Sequence, residues 1–230
     1  MLASASPARL ALLRTAGFAP QVVVSGEAED GVDHLDARET ACVLARRKAE
    51  AVARRLGGGS TGRDGQPGAG SGSDAQLGAG GGGTAGDPGD ERDGAPLVLG
   101  CDSVLAFGGE VRGKPRSAEE AAAWWRGYRG RTGTLVTGHA LVDLASERRA
   151  ASPAETEVRF GRPSDAEIDA YVGTGEPVAV AGGFTLDGYC APFVDGIDGD
   201  HGTVLGLSVP LLRRLLAELE VDITTLWAPR

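Results

Sequence analysis

Asp102 and Lys114 are the first residues whose types and spacing suggest chemistry. Asp102 ends the run Leu97-Val98-Leu99-Gly100-Cys101-Asp102, whose apolar start marks a buried strand. A carboxylate at the C-terminal end of such a strand is where open α/β sheets gather ligand chemistry. Phe107-Gly108-Gly109-Glu110 then reads as a hairpin turn, with Val111 starting the return strand and Gly113-Lys114-Pro115 following. That turn could bring Lys114 back towards Asp102, so that a carboxylate and an ammonium face a phosphorylated substrate. A surface turn with an incidental ion pair fits this stretch equally well.

Three further groups extend the set. Ser6-Pro7 is a helix start, with a hydroxyl cap and proline at the first helical position. A strand running into a helix N-terminus leaves free backbone N–H groups pointing outward, and Ser4, Ser6 and Arg9 would decorate such an anion site. An ordinary capped helix is the plainer alternative. The acidic turn with Glu27, Glu29 and Asp30 is either solvated or a source of carboxylate for a hard cation such as Mg2+. Lys48 shares a helical row with Leu44 and Val52, so it either snorkels to the rim or enters a polar pocket.

The elements that must position these groups alternate between helix and strand. Helices are expected from Pro7 to Gly17, over Ala37–Leu56, from the Ser117-Ala118-Glu119-Glu120 capping box through Trp124 and Trp125, from the Ser164-Asp165-Ala166-Glu167 box to Tyr171, and over Pro210–Glu220. Strands are expected at Gln21–Ser25, Leu97–Asp102, Leu135–Asp143, Glu155–Phe160, Phe193–Ile197 and Val204–Leu207, with Asp198-Gly199-Asp200 as a tight turn. Ala181-Gly182-Gly183-Phe184-Thr185-Leu186-Asp187-Gly188 is Gly-rich enough for backbone to approach a ligand, yet it has neither the dinucleotide nor the P-loop spacing. This order predicts an α/β fold, a mixed sheet with flanking helices. The segment 57–95 is dominated by glycine and cannot bury enough apolar surface to order itself. It is expected to be a disordered insertion within one domain spanning residues 1–230.

Composition narrows the class. The 230 residues carry a formal charge of −9, against the basic footprint of a nucleic-acid binder. No apolar run is long enough to span a membrane, and no secretory signal opens the chain. Cys42, Cys101 and Cys190 are odd in number and widely spaced, as expected of reduced cytosolic thiols. His34, His139 and His201 lack zinc-ligand spacing.

Taken in order, these pieces resemble the Maf family of nucleoside triphosphate pyrophosphatases, also described as septum-formation inhibitors. The resemblance is carried by Leu2-Ala3-Ser4-Ala5-Ser6-Pro7 with Arg9, Leu44-Ala45-Arg46-Arg47-Lys48-Ala49, Gly100-Cys101-Asp102-Ser103 and Gly113-Lys114-Pro115. It continues through Gly175-Glu176-Pro177, Ala181-Gly182, Phe193-Val194, Ile197-Asp198-Gly199-Asp200 and Val204-Leu205-Gly206-Leu207. It implies an elongated two-lobed domain with a central cleft, often dimeric. It also implies hydrolysis between the α and β phosphates, with a divalent metal, Mg2+ or Mn2+. On this resemblance Asp102 is the proton acceptor for the attacking water, Glu29 supplies a second carboxylate that shares the metal with Asp102, and Lys48 and Lys114 complete the catalytic set. Arg9, with Ser4 and Ser6 beside it, falls to substrate binding; Ser103 and Asp187, where the chain departs from the family, are added to that set, Asp187 as a reader of a donor edge on the base.

Departures from the family pattern bear on the base. Ala8 stands where a first arginine is common, and Ser103 replaces the threonine of members acting on thymidine and uridine triphosphates. Ala179-Val180 and Asp187 stand where those members carry Asp-Lys and Gln. Pyrimidine preference is therefore not carried over. A nucleotide-binding regulator of cell division, with catalysis secondary, is the competing reading, and an α/β phosphatase releasing orthophosphate is a third.

Overall fold

The computed structural model describes residues 1–57 and 95–229. The expected insertion at 57–95 thus lies almost wholly outside the described residues. Gly57 closes a helix, and Ala95-Pro96 lead into a strand.

Helix α1 spans Pro7–Thr15, with the Ser6 hydroxyl accepting from the Arg9 N–H and Pro7 at the first helical position. The chain leaves it through Gly17, at a φ of 92° that suits glycine. Helix α2 covers Ala37–Gly57 and buries Ala41, Leu44, Ala45, Ala49 and Val52 along one stripe. Strand β1 (Leu97–Phe107) turns through Gly108-Gly109, both at positive φ, into β2 (Glu110–Arg112). Helix α3 (Ala118–Tyr128), strands β3 (Thr132–Asp143) and β4 (Arg149–Phe160), and helix α4 (Asp165–Gly173) follow. Strand β5 (Val194–Gly199), the single-turn α5 (His201–Val204) and α6 (Val209–Glu218) complete the order. The Ser164–Glu167 capping box forms in both directions. The Ser117 box forms only by half, because Glu120 turns its carboxylate to the Arg116 N–H instead.

The five strands form one sheet in the order β2-β1-β3-β4-β5, every neighbouring pair antiparallel. Among the described residues the only parallel partner of β1 is a single bridge from Leu2. This corrects two expectations. Gln21–Ser25 contributes only a bridge at Val22 to Leu2, since its outer residues Val22 and Val24 are exposed. Asp102 does not end a strand. Val104, Leu105 and Phe107 keep alternating into the two cores, so β1 continues five residues beyond it, with Asp102 opposite Gly138. Two C-terminal expectations change as well. Val204–Leu207 is not a strand, because the Asp200 side chain accepts from the Gly202 N–H and starts the turn of α5. Asp198 and Gly199 belong to β5.

One sheet face packs on α2, through Val98, Ala140 and Val142 against Ala45, Ala49 and Val52. Two glycines allow the helix its close approach. A Cβ on Gly100 would lie 2.3 Å from the Ala45 carbonyl oxygen, and one on Gly138 would lie 2.1 Å from that of Ala41. The opposite face carries two cores. Leu99, Cys101 and Leu141 meet α6 through Leu211, Leu212 and Leu215, while Leu105, Phe107, Leu135 and Phe160 meet Trp125, Tyr128 and Tyr171. The tryptophans of α3 are thus packing residues, Trp125 fully buried and edge-on to Tyr128, Phe160 and Tyr171.

His139 fastens α6 to the sheet. Its Nε2 accepts from the Ser208 N–H at 2.8 Å, so Nδ1 carries the proton and donates to the Thr137 carbonyl at 3.0 Å. Burial lowers its pKa from 6.5 to about 4, so the folded protein holds it neutral. The unfolded chain takes up that proton below pH 6.5 and the folded one only near pH 4. Stability is therefore full above pH 6.5 and falls as pH drops towards 4, by roughly 3 kcal/mol from this group alone. Urea unfolding at pH 7, 5.5 and 4 should show this loss, and His139→Gln should lack it while the other titrations remain.

Candidate active site

The free edge of β1 explains where the site forms. Leu99 exchanges backbone hydrogen bonds with Met1 and Ala3, and pairing with β2 begins only at Leu105. Between them, among the described residues, no strand covers Cys101–Val104 on that side. Asp102, Ser103 and Val104 open there into a cleft of about 1000 Å³. Its walls come from distant parts of the chain: Ser4–Arg9, the acidic turn with Glu29, α2 through Leu44 and Lys48, Lys114, the Ala179–Asp187 segment, and Val204–Gly206. It is the opening in the edge, not a strand end, that exposes the carboxylate.

Asp102 lies on the face covered by α2, its side chain only 8 % exposed. Lys48 descends from the apolar row of α2 and ion-pairs with it, while donating to Glu29 Oε1 at 2.6 Å. Lys48 is therefore no snorkeller: its ammonium is held, largely out of solvent, between two carboxylates. Burial raises the Asp102 pKa above the usual carboxylate value, the Lys48 charge opposing without cancelling it. Burial works against the Lys48 charge, yet the two carboxylates hold its pKa above the ordinary value. Glu29 is desolvated too, but Lys48, Lys114 and Arg9 bring its pKa below the usual value.

A second network anchors the N-terminal wall. Arg9 donates from Nη1 to Ser4 Oγ at 3.0 Å, from Nη2 to Ser103 Oγ at 3.2 Å and from Nε to the Gly206 carbonyl at 2.8 Å. Ser4 Oγ also accepts from the Ser6 N–H. Thr137 spends its hydroxyl proton on the Thr203 carbonyl, so Ser103 must donate to Thr137 while accepting from Arg9. Arg9 is thereby fixed across three segments, with its charge facing the cleft.

Of the residues singled out from the sequence, Asp102 and Glu29 both meet Lys48, and Arg9 joins Ser4 and Ser103 in the adjoining network. Ser6 caps α1 at the cleft wall. Lys114 reaches the cleft rim with its side chain exposed, close enough to lower the Glu29 pKa. Asp187 lines the same cleft and accepts from the Thr185 hydroxyl. Sequence reasoning missed Thr137, Gly138 and the Gly206 carbonyl. A glycine within an apolar strand was the available sign for Gly138; a carbonyl contact leaves none.

Among the described residues no helix is long and apolar enough to cross a membrane. A family model described as Maf-like protein matches residues 1–219. A nucleoside triphosphate pyrophosphatase of Streptomyces coelicolor is 51 % identical, over all of this chain and 94 % of its own length. One from Streptomyces avermitilis is 50 % identical over all of this chain and 95 % of its own. A cyanobacterial one, from Trichormus variabilis, is 39 % identical over 99 % of this chain and 96 % of its own. The family match runs from the Ser4–Arg9 wall past the last cleft residue, Gly206, and takes in every side chain of the site: the chain belongs to the Maf family.

Proposed function

We propose that this chain, acting as a single domain, hydrolyses nucleoside triphosphates between the α and β phosphates, giving a nucleoside monophosphate and pyrophosphate. The observation that carries this reading is a buried carboxylate, Asp102, at the base of a cleft whose walls bear Lys48, Arg9 and Lys114. A triphosphate needs cationic groups where charge builds on the leaving pyrophosphate. Asp102 takes the proton of the attacking water, and its raised pKa makes it a stronger base than a solvated carboxylate. Lys48, held charged by its two carboxylates, meets the phosphates. Arg9, with Ser4, Ser6 and Ser103, fixes the N-terminal side of the triphosphate, and Lys114 closes on it from the opposite rim. Asp187, an acceptor beside Thr185, faces the donor edge of the base.

A hard divalent cation, Mg2+ or Mn2+, fits this donor set. Glu29 and Asp102 already converge on one cationic group, Lys48. Among the described residues no group of three or more His, Cys, Asp or Glu is arranged to hold a metal ion by itself. Mg2+ characteristically takes one or two carboxylates and completes its shell with phosphate oxygens and water. Bound there by Glu29 and Asp102, it would offset phosphate charge and polarise water.

A cytosolic house-cleaning role, removing surplus or non-standard nucleotides, accords with this chemistry. The test is a panel of nucleotides, methylated bases included, with separate readouts for pyrophosphate and orthophosphate. Pyrophosphate alone is expected, abolished by EDTA and restored by Mg2+ or Mn2+. Release of orthophosphate, or binding without turnover, would overturn the reading.

A further inference from the structure

Lys114 differs from the other two cleft cations in how it is held. Arg9 is fixed by three side-chain hydrogen bonds and Lys48 by two. The Lys114 side chain is exposed and makes neither a hydrogen bond nor an ion pair among the described residues, so its place in the cleft is set by the backbone that carries it. That backbone is anchored on both sides of the lysine. The Gly113 carbonyl accepts from the Gly182 N–H at 2.7 Å, and buried Pro115 lies against Gly183. Gly182 is itself held from behind: its carbonyl accepts from Tyr128 Oη at 3.1 Å, and its φ of 67° and tight contact with Leu105 admit no side chain.

Tyr128 reaches the same loop by a second route. The Arg112 guanidinium, one residue before Gly113, lies 5.3 Å from the centroid of the Tyr128 ring, with Phe107 and Trp124 at 5.0 and 5.2 Å. Its Nε and Nη2 donate to Glu110 Oε2, at 3.2 and 2.8 Å, while its Nη1 is buried without a hydrogen bond and rests on the rings. One fully buried tyrosine thus braces the loop through its hydroxyl, by way of Gly182, and through its ring, by way of Arg112.

We propose that Tyr128 is a positioning residue for Lys114: it never meets the nucleotide, and it sets the loop that presents the lysine to the phosphates. The proposal rests on the phosphate-binding role given to Lys114 above. Tyr128→Phe keeps the packed ring and removes only the donor. It should raise KM about tenfold with kcat changed less than threefold, and weaken binding of an α,β-methylene nucleoside triphosphate by a similar factor. In a Lys114→Ala background the same substitution should cost less than twofold, because the group it positions is gone. A purely structural tyrosine would lower the thermal midpoint and cost the same factor in both backgrounds. Equal costs, or an unchanged KM for Tyr128→Phe, would overturn the proposal. If Tyr128→Phe does not fold, Arg112→Lys serves in its place, since it keeps the charge and loses the planar stack. It too should raise KM in the wild-type background and not in Lys114→Ala. The non-hydrolysed analogue keeps this cycle readable even if the reaction assigned above is wrong.

Discussion

Replacing Asp102 by Asn is expected to lower kcat by about a thousandfold while leaving the protein folded and its affinity for metal-free nucleotide undiminished. The magnitude is that of removing a positioned general base. The second half of the expectation follows from the surroundings. Asn matches the carboxylate in shape, and Lys48 keeps Glu29 as a charged partner. Burial already disfavours the Asp102 charge, so a neutral amide is easily accommodated there. Removing a negative charge beside an anionic triphosphate also lessens repulsion, so without divalent cation the dissociation constant should stay level or fall. Steady-state kinetics, equilibrium binding and thermal unfolding on the same preparation check all three parts. A carboxylate that served only to neutralise Lys48 would give a different pattern: weaker binding, a lower thermal midpoint and a modest loss of turnover.

The largest effect on stability should come from Gly138→Ala. The added Cβ would sit 2.1 Å from the Ala41 carbonyl oxygen, 2.3 Å from its carbon and 2.7 Å from the Cys42 nitrogen. All three are backbone atoms of α2, so no side-chain rotation relieves the clash and the helix must lift from the sheet. A cost of about 3 kcal/mol or more is expected, a fall in thermal midpoint on the order of 10 °C for a chain this long. Activity should suffer beyond the loss of stability. Lys48 lies two turns along the displaced helix, and its contact with Asp102 depends on that close approach. Activity assayed well below the new midpoint separates the two consequences. Retained full turnover there would mean that α2 shifts without moving Lys48.

Much of this arrangement was legible in the sequence where local chemistry is self-sufficient. Ser6-Pro7 and Ser164–Glu167 start helices because the capping groups lie within the motif itself. Lys48 on an apolar row of α2 signalled either rim or pocket, and only the carboxylate of Asp102, 54 residues away, decided for the pocket. Asp102 was found for a wrong reason. A strand end in an open α/β sheet singled it out, whereas it lies buried mid-strand in an antiparallel one, reaching the cleft because the neighbouring strands stop short. Edge coverage is a property of pairing between distant segments, and hydropathy carries no trace of it. Val204–Leu207 misled in the same way: its apolar residues suit a strand, but one side-chain cap from Asp200 decides for a helical turn.

The long strands have a mechanical consequence. Leu97–Phe107, Thr132–Asp143 and Arg149–Phe160 each contribute to the α6 core at one end and to the aromatic core at the other. The two sides of the cleft are thus joined by continuous hydrogen-bonded ladder and not by a linker with soft dihedrals. Any motion that separates the two cores must bend or twist the sheet as an elastic plate, which resists large excursions and returns to one rest shape. A nucleotide entering the cleft meets walls whose spacing behaves as a spring constant of the sheet, and charge placement, more than domain closure, is left to select what stays.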